Sequence, residues 1–230
     1  MVRYLPAKIF ICLALTLCQT SQSSPDLLDK WLAHQAKIEH WHADVVQIRH
    51  IKNLTRPLRQ EGELWFIKPN RFRWQLGTPV RTLAVRNAEQ LVIAYPKLKQ
   101  AEKYPFANIT DPAMRQILLL LEVGFPSDAK QFRQQYTLLN SEPLTPSADN
   151  PVIEFQLQPA AVLARKLLDK VSLEVDTSSM QLKATHLYFG DGSVLTNEFH
   201  NAQYNVPFPK EKLDIDLSGY SITEPLSGGK

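Results

Sequence analysis

Histidine spacing offers the first test for metal chemistry in this chain of 230 residues, six of them histidines. Two imidazoles on a helix reach one ion when they stand four positions apart, usually with a helping glutamate. His40 and His42 fall at the end of a helical pattern, where rings two positions apart cannot face one ion, and His34 lies on its polar side. The spacing therefore predicts solvated histidines and no metal site.

Nucleophilic catalysis also lacks its local pattern. The sequence has no Gly-x-Ser-x-Gly elbow to expose a catalytic serine, and Gly-Asp-Gly-Ser at residues 190–193 predicts a hairpin turn. The carboxylates of Glu61, Glu63, Asp169 and Glu174 are dispersed at predicted strand ends or on polar faces. We expect no enzyme and no cofactor. Folding could still assemble an acid–base pair, so a lipid-acting hydrolase stays open as an alternative.

The first two dozen residues have the three parts of a secretory signal. Arg3 and Lys8 precede an apolar run from Ile9 to Leu17, which has about the 7–15 residues expected of such a run. It is shorter than the roughly 20 apolar residues that cross a bilayer. Small polar residues then favour cleavage after Ser23. We predict a signal peptide over residues 1–23 and one exported domain over residues 24–230.

Cys18 leaves a second possibility open. Leu15-Thr16-Leu17-Cys18 resembles the bacterial lipoprotein box, in which the cysteine is acylated and anchors the protein, although Leu17 replaces the usual small residue. Cleavage after Ser23 would instead remove both Cys12 and Cys18, so that the released chain would have no disulfide and no thiolate ligand. A soluble periplasmic protein and an outer-membrane lipoprotein are both compatible with this segment.

Charge argues against two classes of partner. Removal of residues 1–23 takes away Arg3 and Lys8, which lowers the basic count from 26 to 24 against 23 acidic residues. A nearly neutral chain gives no electrostatic support for binding nucleic acid or an anionic membrane.

The later sequence predicts a mostly antiparallel sheet with a few helices. Ser24, Pro25 and Asp26 are typical of a helix start, and the helical pattern continues to about Trp41. A period of two predicts a strand from Asp44 to Ile51, then a loop over residues 53–60. Further strands are predicted over residues 152–158, 171–175, 182–189 and 194–203. These elements predict one curved antiparallel sheet, closed or covered by helices, of the α+β class.

The segment from Gly62 to Tyr95 is the clearest part of that sheet. It predicts successive strands with breaks at residues 68–70, 77–79 and 87–89. In one strand Phe72, Trp74 and Leu76 alternate with polar residues. This alternation is typical of an antiparallel sheet with one apolar and one solvated face.

A second apolar element follows the sheet. Residues 113–123 predict a helix that is apolar nearly all round and must therefore be covered on most sides. The polar, proline-containing segment from Lys97 to Phe106 predicts a hinge between this helix and the sheet. A helix that lifts from an apolar sheet would expose a cavity, and apolar pockets of about 300–1,000 Å³ suit lipid-sized ligands.

The stretch from Gly62 to Trp74 resembles the signature of the periplasmic outer-membrane lipoprotein carriers, the LolA-like proteins. It has the Gly-x-Leu strand, the basic residue before proline and the pair of aromatic residues two positions apart. The resemblance implies an incomplete, strongly bent antiparallel barrel, with helices that form a lid over an acyl-binding cavity. It further implies lipoprotein or other lipid cargo, an inner-membrane donor and an outer-membrane acceptor. We expect a monomer.

Carried over by position, the resemblance assigns the apolar cavity to both the sheet and the helix. The sheet residues are Leu64, Phe66, Phe72 and Trp74, with Leu76 on the same face, and the lid residues are Ile117, Leu118 and Leu121. Lys68 stands where the family has an arginine that holds the lid. Lysine is a flexible point donor and not a rigid fork, so we expect a weaker tether. The implied function is a carrier, with an acceptor of the same fold acylated at Cys18 as the alternative.

Overall fold

The computed structural model describes residues 24–109, 118, 122–144, 151–207 and 209–225. Three α-helices and twelve strands have both their ends within these residues, and Leu118 belongs to a further helix. The helices are α1 (Ser24–Gln35), α2 (Ala129–Gln135) and α3 (Val162–Arg165). The strands are β1 (His40–His50), β2 (Leu58–Ile67), β3 (Arg71–Leu76), β4 (Thr82–Arg86), β5 (Gln90–Tyr95), β6 (Gln100–Pro105), β7 (Tyr136–Pro143), β8 (Val152–Pro159), β9 (Leu168–Asp176), β10 (Gln181–Phe189), β11 (Val194–Tyr204) and β12 (Ser221–Thr223).

All twelve strands belong to one open, curved sheet. Their order is β12-β6-β5-β4-β3-β2-β1-β11-β10-β9-β8-β7, and every pairing is antiparallel except that of β12 with β6. The α+β class and the curved antiparallel sheet are therefore confirmed. The breaks predicted after residues 67, 76 and 86 are also confirmed, and they separate the four strands β2 to β5.

The boundary between the first helix and the first strand was predicted wrongly. The helix ends at Gln35, and β1 begins at His40. Trp41 contributed to a helical repeat in the sequence, but it lies opposite Phe66 of β2, while His42 points to the other face and stacks on Trp65 with ring centroids 4.8 Å apart. Packing on both faces of the sheet thus favours the strand. The loop predicted over residues 53–60 is also shorter, because β2 begins at Leu58.

The predicted hinge over residues 97–106 is wrong as well. Most of this segment is β6, which pairs with β5 along its full length and with β12 on its other side. Ala101 is 1% exposed and packs with Val92 and Val85 in a small apolar cluster. The strand is polar because its other face, with Glu102 and Tyr104, is only partly buried.

The main core lies on the concave face of the sheet, where α1 and α2 cover one half. Trp31 of α1 is fully buried and contacts Phe132 of α2 and Phe155 of β8 at centroid distances of 6.0 and 6.4 Å. On the convex face, Ile215, Leu217 and Tyr220 of the C-terminal segment cover the smaller cluster of β4, β5 and β6.

Gly62 lies in β2 at a point where the backbone of β3 leaves no room for a side chain. A Cβ atom at this position would stand 1.9 Å from the carbonyl oxygen of Gln75. Only glycine permits this approach, because the opposing atom belongs to the backbone and cannot rotate away. The pairing of β2 with β3 therefore requires glycine at this position.

Candidate binding cavity

A cavity of about 270 Å³ lies on the concave face of the sheet. It is close to the lower end of the range of about 300–1,000 Å³ that is common for small-molecule pockets. Residues of β1, β3, β4, β5, β10 and β11 form its wall, and residues 123–125 border it from the lid side. The wall residues are Gln47, Arg49, Phe72, Trp74, Leu76, Thr82, Ala84, Leu91, Ile93, Tyr95, Thr185, Leu187, Leu195, Asn197 and Phe199.

Three of the five sheet residues predicted for the cavity line it, namely Phe72, Trp74 and Leu76. Their alternation along β3 sends all three side chains to the concave face. Leu64 and Phe66 share this face, because they stand opposite Trp74 and Phe72. They do not line the cavity, and both are buried in the core beside it, at 1% and 4% exposure.

Most of the predicted lid falls outside the described residues, including Ile117 and Leu121. Leu118 is described, lies in a helix and is 8% exposed within the main core. Glu122, Val123 and Gly124 then form a turn, in agreement with a helix that ends near Gly124. How far the apolar helix extends, and whether it moves, stay predictions.

Phe125 closes the cavity at the end nearest Phe66, a role that no local sequence pattern predicts. Its ring centroid lies 4.6 Å from that of Trp41, 4.9 Å from that of Phe66 and 6.0 Å from that of Phe199. Trp41 in turn meets Phe199 edge to face at 4.9 Å. These aromatic contacts hold Phe125 and its neighbours in the chain against the concave face.

A buried ion pair holds the same segment on its other side. The guanidinium of Arg86, at the end of β4, pairs with the carboxylate of Glu122 and lies 4.9 Å above the ring of Phe106. Burial raises the pKa of Glu122, and Arg86 offsets only part of that effect. Burial, together with the charge of Glu122, also raises the pKa of the Tyr136 hydroxyl. Residues 122–125 are therefore held against the sheet by one ion pair and by the aromatic contacts of Phe125.

A row of polar side chains crosses the otherwise apolar wall. Gln47, Asn197 and Thr185 stand directly opposite one another on the neighbouring strands β1, β11 and β10. The amide of Gln47 donates to Asn197 Oδ1 at 3.0 Å, and the amide of Asn197 donates to Thr185 Oγ1 at 3.2 Å. Leu195 and Phe199 flank the row on β11. The cavity can thus receive an apolar chain that carries one polar linkage.

Lys68 lies in the turn between β2 and β3, and its side chain reaches the end of α1. Its Nζ atom donates to the carbonyl oxygen of Ala36 at 2.5 Å and stands 3.5 Å from a carboxylate oxygen of Glu39. The side chain is 22% exposed and sits near Phe125, in the small depression below the cavity. Since residues 110–117 and 119–121 are not described, a contact between Lys68 and the lid stays a prediction.

A polar cluster outside the cavity is hydrogen-bonded internally. On the convex face, His186 bonds Thr196 Oγ1 through Nδ1 at 2.9 Å and Glu174 through Nε2 at 2.8 Å. Among the described residues, no group of three or more histidines, cysteines or carboxylates is arranged to hold a metal ion. None of the helices in the described part of the chain has the length and apolar character needed to cross a membrane.

Comparison with known proteins shows which proteins this chain resembles. Residues 36–216 match the family described as outer membrane lipoprotein carrier protein LolA. The outer-membrane lipoprotein carrier protein of Yersinia pestis is 24% identical over 196 residues, which cover 85% of this chain and 94% of that protein. Its counterpart from Yersinia enterocolitica is 24% identical over 161 residues, covering 70% and 78%. An uncharacterized conserved protein from Thermus thermophilus shares the fold, with a TM-score of 0.52, 9% identity and coverage of 88% and 99%.

Proposed function

The chain belongs to the outer membrane lipoprotein carrier family, and on this basis we propose that it carries acyl chains through the periplasm towards the outer membrane. The cargo would be a lipoprotein or a related acylated lipid. The observation that supports this role most directly is the cavity of about 270 Å³ on the concave face, lined by Phe72, Trp74 and Leu76.

Transfer energies make such a cavity suitable for a carrier. Each methylene that leaves water contributes about 0.8 kcal/mol, so a single acyl chain brings several kilocalories per mole. Part of this gain is lost when the lid segment is displaced. Binding can then be strong enough to keep a chain out of water between two membranes and still reversible, as delivery requires.

The closed state would be held by the contacts that fix the lid segment. Arg86 pairs with Glu122, and Phe125 packs among Trp41, Phe66 and Phe199. A bound acyl chain would compete with Phe125 for the same apolar surface, because Phe125 also borders the cavity. Cargo entry would therefore loosen the aromatic contact before the ion pair.

The polar row gives the cavity a place for the linkage that joins an acyl chain to its carrier molecule. An ester or amide group beside Asn197 would meet hydrogen-bonding side chains in the middle of an apolar wall. A pure hydrocarbon would leave those groups without new partners. The proposal therefore favours acylated molecules over hydrocarbons.

Two measurements test this function. Protein purified from its own cell envelope should carry acylated lipid or lipoprotein, identified by native mass spectrometry followed by lipid extraction. The emptied protein should then take up a fluorescent fatty-acyl probe, and unlabelled acyl lipid should displace it. Recovery of empty protein that also fails to bind the probe would contradict the proposal.

A further inference from the structure

The loops at one edge of the sheet are basic, although the whole chain is nearly neutral. The upper edge is formed by residues 51–57, 77–81, 96–99, 160–167 and 190–193, which together contain seven lysines and arginines and one acidic residue, Asp191. The described connections at the opposite edge, residues 36–39, 68–70, 87–89 and 177–180, contain two basic and two acidic residues. The net charge of the sequence hides this uneven distribution.

The upper edge also collects exposed apolar side chains. Six of the nine large hydrophobic residues that are exposed in the described part of the chain lie on it or at the adjoining strand end. They are Ile51 (38% exposed), Leu54 (49%), Leu58 (48%), Leu98 (63%), Val162 (65%) and Leu167 (38%). Each stands near lysines or arginines in sequence, for example Leu98 between Lys97 and Lys99.

The cavity reaches this same edge. Arg49, Leu76, Thr82 and Tyr95 line the cavity, and each lies at or next to the upper end of its strand. Arg49 is exposed as well, so the cavity meets solvent there. The β1–β2 hairpin extends beyond the neighbouring strand, because β2 starts at Leu58 while β3 ends opposite Gly62.

We propose that the upper edge docks on the surface of an anionic phospholipid bilayer and brings the mouth of the cavity to it. Basic side chains would lie among the lipid phosphates, and Leu54 and Leu98 would enter the headgroup region. Each lysine or arginine near such a surface contributes about a fivefold increase in binding. This combination of basic and apolar residues is typical of interfacial binding.

A protein partner fits the upper edge less well. Protein interfaces are enriched in tyrosine, tryptophan and phenylalanine and depleted in lysine. The five connections of the upper edge contain no aromatic residue and four lysines. The six exposed apolar side chains are also divided among three separate connections, residues 51–58, 96–99 and 160–167, whereas a protein interface needs a contiguous patch.

Acidic groups near the upper edge leave most of its charge available. The carboxylates of Asp191 and Asp216 attract Lys52 and Lys99 electrostatically. Glu61 forms an ion pair with Arg59 at 3.2 Å. No ion pair of Arg56, Arg81 or Lys97 occurs among the described residues. A charge test should therefore include Arg56 and Lys97, which lie on different loops.

The test is flotation of the full-length mature protein with vesicles of phosphatidylcholine, alone or mixed in equal parts with phosphatidylglycerol. We expect binding to the mixed vesicles only, and it should weaken as salt is added. A triple variant Lys52→Gln, Arg56→Gln, Lys97→Gln should bind roughly 100-fold more weakly, at about fivefold per charge. A control variant Lys37→Gln, Arg71→Gln, Lys183→Gln removes the same charge from exposed positions elsewhere and should bind like the wild type.

Two results would overturn the proposal: a wild-type protein that does not bind the mixed vesicles, or a control variant that loses as much binding as the upper-edge variant. A double variant Leu54→Ser, Leu98→Ser should also reduce binding, and unchanged binding would remove the apolar part of the proposal. Uptake of the acyl probe from solution separates this proposal from the carrier function. Docking without uptake contradicts the carrier alone, and uptake without docking contradicts the docking surface alone.

Discussion

Arg86 and Glu122 form an ion pair between the sheet and the turn of residues 122–124. Both side chains are largely buried, with 9% and 22% of their surface exposed. Arg86 is on the concave face of β4 because it stands opposite Phe72 of β3 and Leu91 of β5. The pair therefore connects the concave face of the sheet directly to the turn of residues 122–124.

Substitution Arg86→Met should destabilise the protein, because it leaves the carboxylate of Glu122 buried without its partner. We expect a loss of about 2 kcal/mol in the free energy of unfolding, below the usual cost for a fully buried pair since Glu122 is partly exposed. Urea unfolding measures this value. The exposed pair Arg59–Glu61 provides the control, and Arg59→Met should change the free energy by less than about 0.5 kcal/mol. Equal effects of the two substitutions would contradict a stabilising role of the buried ion pair.

The pH dependence of stability should reveal Glu122 separately. Burial holds its pKa in the folded protein above the usual value of 4.5. The folded protein thus binds this proton more tightly than the unfolded chain, and the contribution of Glu122 to stability decreases as pH rises through the interval above 4.5. The difference in unfolding free energy between the wild type and Glu122→Gln should therefore fall over this interval. A constant difference would show that the carboxylate is solvated.

Filling the cavity should block the acyl probe without unfolding the protein. Ala84 lines the cavity and is only half-buried, so Ala84→Phe directs a ring into open space. We expect about tenfold weaker probe binding and little change in stability. Ala88→Phe, in the exposed turn after β4, is the matched control. If both variants bind the probe like the wild type, acyl chains bind elsewhere.

Substitution of one residue in the polar row should destabilise the protein more than replacement of all three with apolar residues. Asn197→Leu removes the partner of both Gln47 and Thr185, and we expect a loss of about 1–3 kcal/mol in unfolding free energy. The triple variant Gln47→Leu, Asn197→Leu, Thr185→Val removes all the polar groups and should lie within about 1 kcal/mol of the wild type. In the triple variant an ester-linked probe should also lose its advantage over a hydrocarbon of equal length. An advantage that persists would mean that the linkage does not contact the row.

The sheet was predictable where residues alternate locally. Phe72, Trp74 and Leu76 repeat every second position, and short breaks rich in proline, glycine or asparagine separate β2 from β3, β4 and β5. The strand β6 lacked this signal, because the residues that cover its convex side come from the C-terminal segment, more than a hundred positions later. Its burial depends on contacts that no local pattern contains.

The candidate site was predictable only on the side formed by β3. The ion pair of Arg86 with Glu122 joins two residues from different elements, and either side chain alone is typical of a solvated surface. Phe125 follows a predicted helix end, and no local pattern predicts where its side chain packs. Its contacts with Trp41 and Phe66 depend on the fold. The polar row likewise exists only once three strands are in register.

The close approach at Gly62 constrains the backbone and not the cavity wall. The atom that excludes a side chain there is the carbonyl oxygen of Gln75, so the constraint does not depend on which side chains line the wall. Ala84 and Ile93 do line the wall, and both can be exchanged without changing this point of the strand pair. A change of ligand preference can therefore come from substitutions in the wall while the glycine is kept.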